Sequence, residues 1–118
     1  MMLQVYLYPK CGTCRKAKKY LEEHGISFQE IHIVENPPSK EKLAEMVQAS
    51  GLPLQKFFNT SGQKYRELGL SQKLKEMSDE EKLSLLASDG MLIKRPLATD
   101  GTKVTVGFKE EEYQEKWA

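Results

Sequence analysis

Leu3-Gln4-Val5-Tyr6-Leu7-Tyr8-Pro9-Lys10-Cys11-Gly12-Thr13-Cys14-Arg15-Lys16-Ala17 decides how the rest of the chain is read. Leu3, Val5 and Leu7 alternate with Gln4, Tyr6 and Tyr8, which is the period of a strand. Pro9 ends it. The apolar spacing then lengthens, and Cys14, Ala17 and Leu21 share one face of a helix predicted over 13–24, with Gly25 as its stop. The Cys-x-x-Cys therefore lies at a strand-to-helix turn. At such a turn free backbone N–H groups and the helix dipole favour a thiolate at Cys11, with N–H donors expected from Thr13 or Cys14. Free cysteine titrates near ~8.5 and sites of this kind reach roughly 3.5–7.5, so a depressed value is expected for Cys11.

Further along, 28–34 is β-branched and aromatic and reads as a second strand, giving a βαβ unit with a right-handed crossover. Pro37-Pro38 breaks the chain, and Ser39 is an N-cap signal for a helix with Leu43, Met46 and Val47 inward. The stretch 51–70 reads as irregular or short-helical, anchored by Leu54, Phe57, Phe58 and Tyr65. Ser78 and Glu81 form a capping-box pattern ahead of Leu83, Leu86 and Ala87, and Asp89-Gly90 closes that helix. Leu97 to Thr99, a two-residue turn at Asp100-Gly101 and 102–106 read as a hairpin. A last helix starts near Lys109, with Tyr113 and Trp117 one turn apart. This order is α/β. It fits a small mixed sheet of the thioredoxin-like plan (βαβ, a helical insert at about 39–88, a β-hairpin and a C-terminal helix), with 1–118 as one domain.

Composition narrows the function. The net charge of +1 does not imply non-specific nucleic-acid binding. No apolar run is long enough to cross a bilayer, and the N-terminus lacks a signal-peptide pattern, so a cytoplasmic location is the expectation. In a reducing compartment a cysteine pair points to catalysis, sensing or metal binding. Residues three apart on a helix share a face at a distance that a disulfide can bridge, so Cys11 could attack and Cys14 resolve. Two inert structural thiols or a zinc site are the rival readings. Zinc normally takes four ligands, and only His24 and His32 could complete the set, at spacings unlike a finger. Arg95-Pro96 is the second notable pair: arginine offers a planar fork of donors to an anion, and proline shapes the backbone and admits a cis bond. Arg15 is an anion-binding candidate of the same type, with a solvated helix face as the alternative. Gly12 and Thr13 supply the turn and N–H donors.

The run from Tyr8 to Ala17, together with Asn36-Pro37-Pro38-Ser39 and Leu92-Ile93-Lys94-Arg95-Pro96-Leu97, resembles the arsenate reductase-like (ArsC/Spx) family over essentially the whole chain. The resemblance implies a thioredoxin-like domain with Cys11 as the attacking thiolate and Arg95 as an oxyanion-holding arginine. It also implies glutathione, glutaredoxin or thioredoxin as electron donor and partner, and no bound metal or organic cofactor. This chain departs from the reductases in three places. Ser61 stands where a second arginine is expected, Gly107 and Phe108 stand where a third is expected, and Leu7 and Tyr8 replace polar residues before the cysteine. Each missing charged hydrogen bond forgoes roughly 1.5–3 kcal/mol, which argues against arsenate itself as substrate. The expected function is a thiol-dependent oxidoreductase acting as a monomer, without direct contact to nucleic acid or membrane. The alternative is an Spx-type redox-responsive transcription regulator. Regulators of that branch bind the C-terminal domain of the RNA polymerase α subunit through a glycine of the insert. Gly51 falls at about that position, where it also reads as a plain helix stop.

Overall fold

A computed structural model describes residues 3–60 and 62–117. β1 (Leu3–Leu7) runs into the Cys turn and α1 (Gly12–Glu23), and β2 (Phe28–His32) follows. The insert carries α2 (Lys40–Ser50), α3 (Gln63–Glu67), α4 (Leu70–Lys73) and α5 (Asp79–Ser88), with short 3-10 turns between them. β3 (Leu97–Thr99), β4 (Val104–Val106) and α6 (Glu110–Lys116) complete the order. The four strands form one mixed sheet in the order β2-β1-β3-β4. β1 pairs in parallel with β2 and antiparallel with β3, and β3 is antiparallel to β4. This is the thioredoxin-like plan expected from the order of elements.

Period-two alternation sorts the core into two layers. Leu3, Val5, Leu7 and Ala98 bury one sheet face against Cys14, Ala17, Tyr20 and Leu21 of α1 and Tyr113 of α6. Tyr6 and Leu97 point the other way, into a larger layer with Ile33, Leu43, Met46, Phe57, Phe58 and Leu86. Tyr6 is buried as fully as its neighbours because the insert roofs the second face.

Local chemistry sets most helix ends. Ser39 Oγ accepts the Lys42 N–H at 3.1 Å, and Gly51 ends α2 in the left-handed region at φ +69°. Ser78 and Glu81 exchange both capping-box bonds, at 3.0 and 3.2 Å. Two expectations are corrected. β2 stops at His32 instead of Val34: the Ile33 N–H still reaches the Leu7 carbonyl, but the chain then turns and His32 Nδ1 accepts the Val34 and Glu35 N–H groups. The hairpin loop has four residues, not two, because Thr99 pairs with Val104. The Asp100 carboxylate takes the N–H groups of both Thr102 and Lys103, holding them in a turn and out of the ladder.

Candidate active site

Cys11 is the N-cap of α1, in extended conformation at φ −90° and ψ 119°. Its Sγ accepts the Cys14 N–H at 3.4 Å, one of the donors that a helix start leaves without an internal partner. The half-buried position of Cys11 opposes ionisation. The thiol and N–H of Cys14, the Arg95 charge and the Thr13 N–H outweigh it, and Cys11 titrates below the ordinary thiol range. Cys14 behaves oppositely. It is 2% exposed inside the α1 layer, and burial, reinforced by Cys11, pushes its thiol up to about 12 against the lowering influence of the Tyr8 backbone and Arg95. Both thiols are free. One sulfur is thus poised to ionise at the surface, and the other is held protonated a helical turn behind it.

Cys11 opens into a cleft of about 300 Å³. Thr13 lines it from α1, Asn59 from the insert, Lys94 and Arg95 from the segment before β3, and Gly107, Phe108 and Lys109 from the segment after β4. Backbone bonds fix these walls: Lys94 N–H donates to the Phe57 carbonyl at 2.7 Å, Asn59 N–H to Leu92 at 2.8 Å, and Gly107 N–H to Pro96 at 2.9 Å. The Arg95–Pro96 bond is cis. The Arg95 guanidinium lies 5.1 Å from the Tyr8 ring centroid, and its Nη1 reaches the Met91 carbonyl at a long 3.4 Å. Its Nε is buried without a partner.

Of the residues singled out from sequence, Cys11, Thr13 and Arg95 share the cleft. Cys14 is buried one turn along α1 from Cys11, and Pro96 is buried and does not line the cleft. Gly12 is exposed and does not line the cleft. Arg15 is not brought into it either: its Nε bonds the Pro9 carbonyl at 3.2 Å, and it borders a separate small hollow beside Tyr8 and Cys14. The neighbourhood expected to differ in arginine content is present as Gly107 and Phe108, while Ser61 lies outside the described residues. Lys94, Lys109 and Asn59 were not legible as site residues. Each reads in sequence as an ordinary surface group, and only the meeting of three chain segments assembles them. Among the described residues no three His, Cys, Asp or Glu side chains cluster to hold a metal ion. His24 stacks on Tyr20 at 4.0 Å. Tyr113 packs in the Cys14 layer with its hydroxyl buried and unpartnered. Burial pushes its phenol up, and Thr105, whose own hydroxyl takes the Trp117 indole N–H at 3.1 Å, only eases that shift.

A thioredoxin-like sheet that delivers a cysteine pair to the start of its first helix, opposite an arginine ahead of a cis-proline, defines a class of small thiol-bearing domains. Within that class the chain belongs to the ArsC family, whose model matches residues 6–116. It is similar to the uncharacterized protein YusI of Bacillus subtilis (strain 168), at 69% identity over the full length of both chains. The regulatory protein MgsR of the same organism is 32% identical over 110 residues, covering 93% of this chain and 86% of MgsR. A solved structure described as a possible arsenate reductase from Streptococcus mutans UA159 is 47% identical, with a TM-score of 0.88, covering 96% of this chain and 98% of that one. Among the described residues no helix is long and apolar enough to cross a membrane.

Proposed function

We propose that this protein is a thiol–disulfide oxidoreductase in which Cys11 attacks and Cys14 resolves. The observation that carries the reading is the placement of the two sulfurs: Cys11 caps α1 at the cleft that Arg95 also lines and accepts the Cys14 N–H, while Cys14 lies buried one turn behind, which lowers the first thiol's pKa and raises the second's. The Cys11 thiolate attacks one sulfur of a disulfide, that bond breaks, and the other client sulfur leaves as a thiolate that takes a proton from water. Cys14 then attacks the Cys11 sulfur, the bond from Cys11 to the client breaks, and the proton that Cys14 loses passes to the second client sulfur as it leaves. The client gains two electrons and becomes a dithiol, and the domain keeps a Cys11–Cys14 disulfide. Arg95 steadies the developing negative charge, Thr13 and Cys14 supply N–H groups, and glutathione, glutaredoxin or thioredoxin returns the pair to its reduced state.

Cys14→Ser is expected to accumulate the covalent client adduct on Cys11, seen as a mass increase under non-reducing conditions, because nothing resolves it. Wild-type protein should carry little adduct at the same time point. Equal, transient adducts on both proteins would remove Cys14 from the mechanism.

The relation to MgsR, a regulatory protein, supports a second reading in which the same disulfide switches a binding surface. Gly51 is exposed at the left-handed end of α2, and an added Cβ there would meet no atom within 4 Å, so its backbone is open to a partner. Capture of the RNA polymerase α C-terminal domain in one redox state only, lost on Gly51→Arg, would favour the regulator. Disulfide turnover without such capture favours the oxidoreductase.

A further inference from the structure

We infer that the cleft beside Cys11 selects disulfides carried on acidic peptide segments, with Lys94 and Lys109 as the specificity-determining residues. The inference rests on the oxidoreductase reading above and adds the class of client. Three cations, Lys94, Arg95 and Lys109, line the cleft, and no carboxylate does among the described residues. None of the three is paired with an acid among the described residues, although Lys18, Lys19, Lys40 and Lys64 all are. Glu110, the first acid of α6, borders a different hollow, beside Lys16, Lys19 and Tyr20. The Arg95 Nε is buried and unpartnered, so the protein itself does not fully satisfy this charged group.

Gly107 explains how Lys94 reaches this place. Its φ is +80°, a conformation that disfavours any side chain, and the space its Cβ would fill is taken by Lys94: Cε stands 3.1 Å and Nζ 3.8 Å from that point. Lys94 therefore lies across the backbone after β4 and presents its ammonium at the cleft. Two lysines act as separate, mobile point charges, unlike the rigid fork of an arginine, which grips one compact oxyanion in two places. Separate charges along an open cleft with Val106 and Phe108 as apolar wall suit an extended chain whose acidic side chains flank the reacting sulfur. Fields of this kind act chiefly on association rate and partner choice.

The test uses the reduced full-length protein and three fluorescent disulfide peptides of equal length, flanked by Asp, by Ser or by Lys. Single-turnover exchange at low salt should be about tenfold faster for the Asp peptide than for the Lys peptide. The ratio should shrink towards one in Lys94→Gln/Lys109→Gln and at high salt. A second arm measures binding of the Asp peptide with its cysteines replaced by serine, and of a single-stranded oligonucleotide of equal charge. Binding of the peptide that the double variant loses supports the inference even if no peptide exchanges, an outcome that would sink only the oxidoreductase reading. Exchange at equal rates for all three peptides, a preference that survives in the double variant, or tighter binding of the oligonucleotide would overturn the inference.

Discussion

Cys11→Ser is expected to lower disulfide exchange by roughly 10³-fold or more while leaving the fold intact. The substitution replaces one atom, and serine is among the preferred N-cap residues, so its hydroxyl can take over the Cys14 N–H that Sγ now accepts. Helix α1 should hold, and far-UV circular dichroism and melting temperature should match the wild type. What disappears is the acidified thiol: a serine hydroxyl is far less acidic, and neither a helix N-terminus nor Arg95 is strong enough to ionise it. Cys14 cannot substitute, because it is enclosed in the α1 layer and its thiol is pushed up to about 12 by burial. Exchange by the variant within tenfold of wild type, with the fold unchanged, would mean that the chemistry runs elsewhere.

Gly90→Ala is expected to destabilise the protein by roughly 3 kcal/mol, although it adds a single methyl. Gly90 is buried in the 3-10 turn after α5. A Cβ there would land on the Ile33 carbonyl oxygen, 2.7 Å from the Ile33 carbonyl carbon and 3.1 Å from Val34 Cα. These atoms are backbone, so they cannot rotate away as a side chain would. The clash forces apart the end of the insert and the turn that follows β2, and it reaches the cleft because the segment leading to Lys94 and Arg95 starts at this 3-10 turn. The melting temperature should fall by roughly 10 °C. Gly12→Ala is the control: an added Cβ there meets no atom within 4 Å, and the melting temperature should move by about 2 °C or less. A Gly90→Ala protein as stable as the Gly12→Ala protein would refute the packing described for this corner.

The contrast between these two glycines marks what a sequence can carry. Signals that act within a few residues were readable: the alternation of β1, the apolar spacing of Cys14, Ala17 and Leu21, the Ser39 cap and the Ser78–Glu81 box. Asp89-Gly90 was equally readable as a helix stop, but the close approach of Ile33 to Gly90 depends on residues far away in sequence. The burial of Tyr6 likewise depends on the insert, which covers the second face of the sheet. At the site, Cys11, Cys14 and Arg95 stood out because their chemistry is rare. Lys94 and Lys109 did not, since a lysine becomes part of a site only when folding sets it beside a nucleophile. Arg15 is not brought into the cleft for the complementary reason, its Nε being bonded to the Pro9 carbonyl.

The central claim is that Cys11 loses its proton more readily than an ordinary thiol and Cys14 less readily. The rate of iodoacetamide alkylation, followed from pH 4 to 10 with the modified residue assigned by mass spectrometry, tests it most directly. Only the thiolate reacts, so the rate should be low at acid pH, climb as Cys11 loses its proton, and level off above. The expected profile has its midpoint below the ~8.5 of a free thiol, with the label on Cys11 and Cys14 unmodified up to pH 10. A midpoint at or above that value, or label shared equally between the two cysteines, would contradict the account.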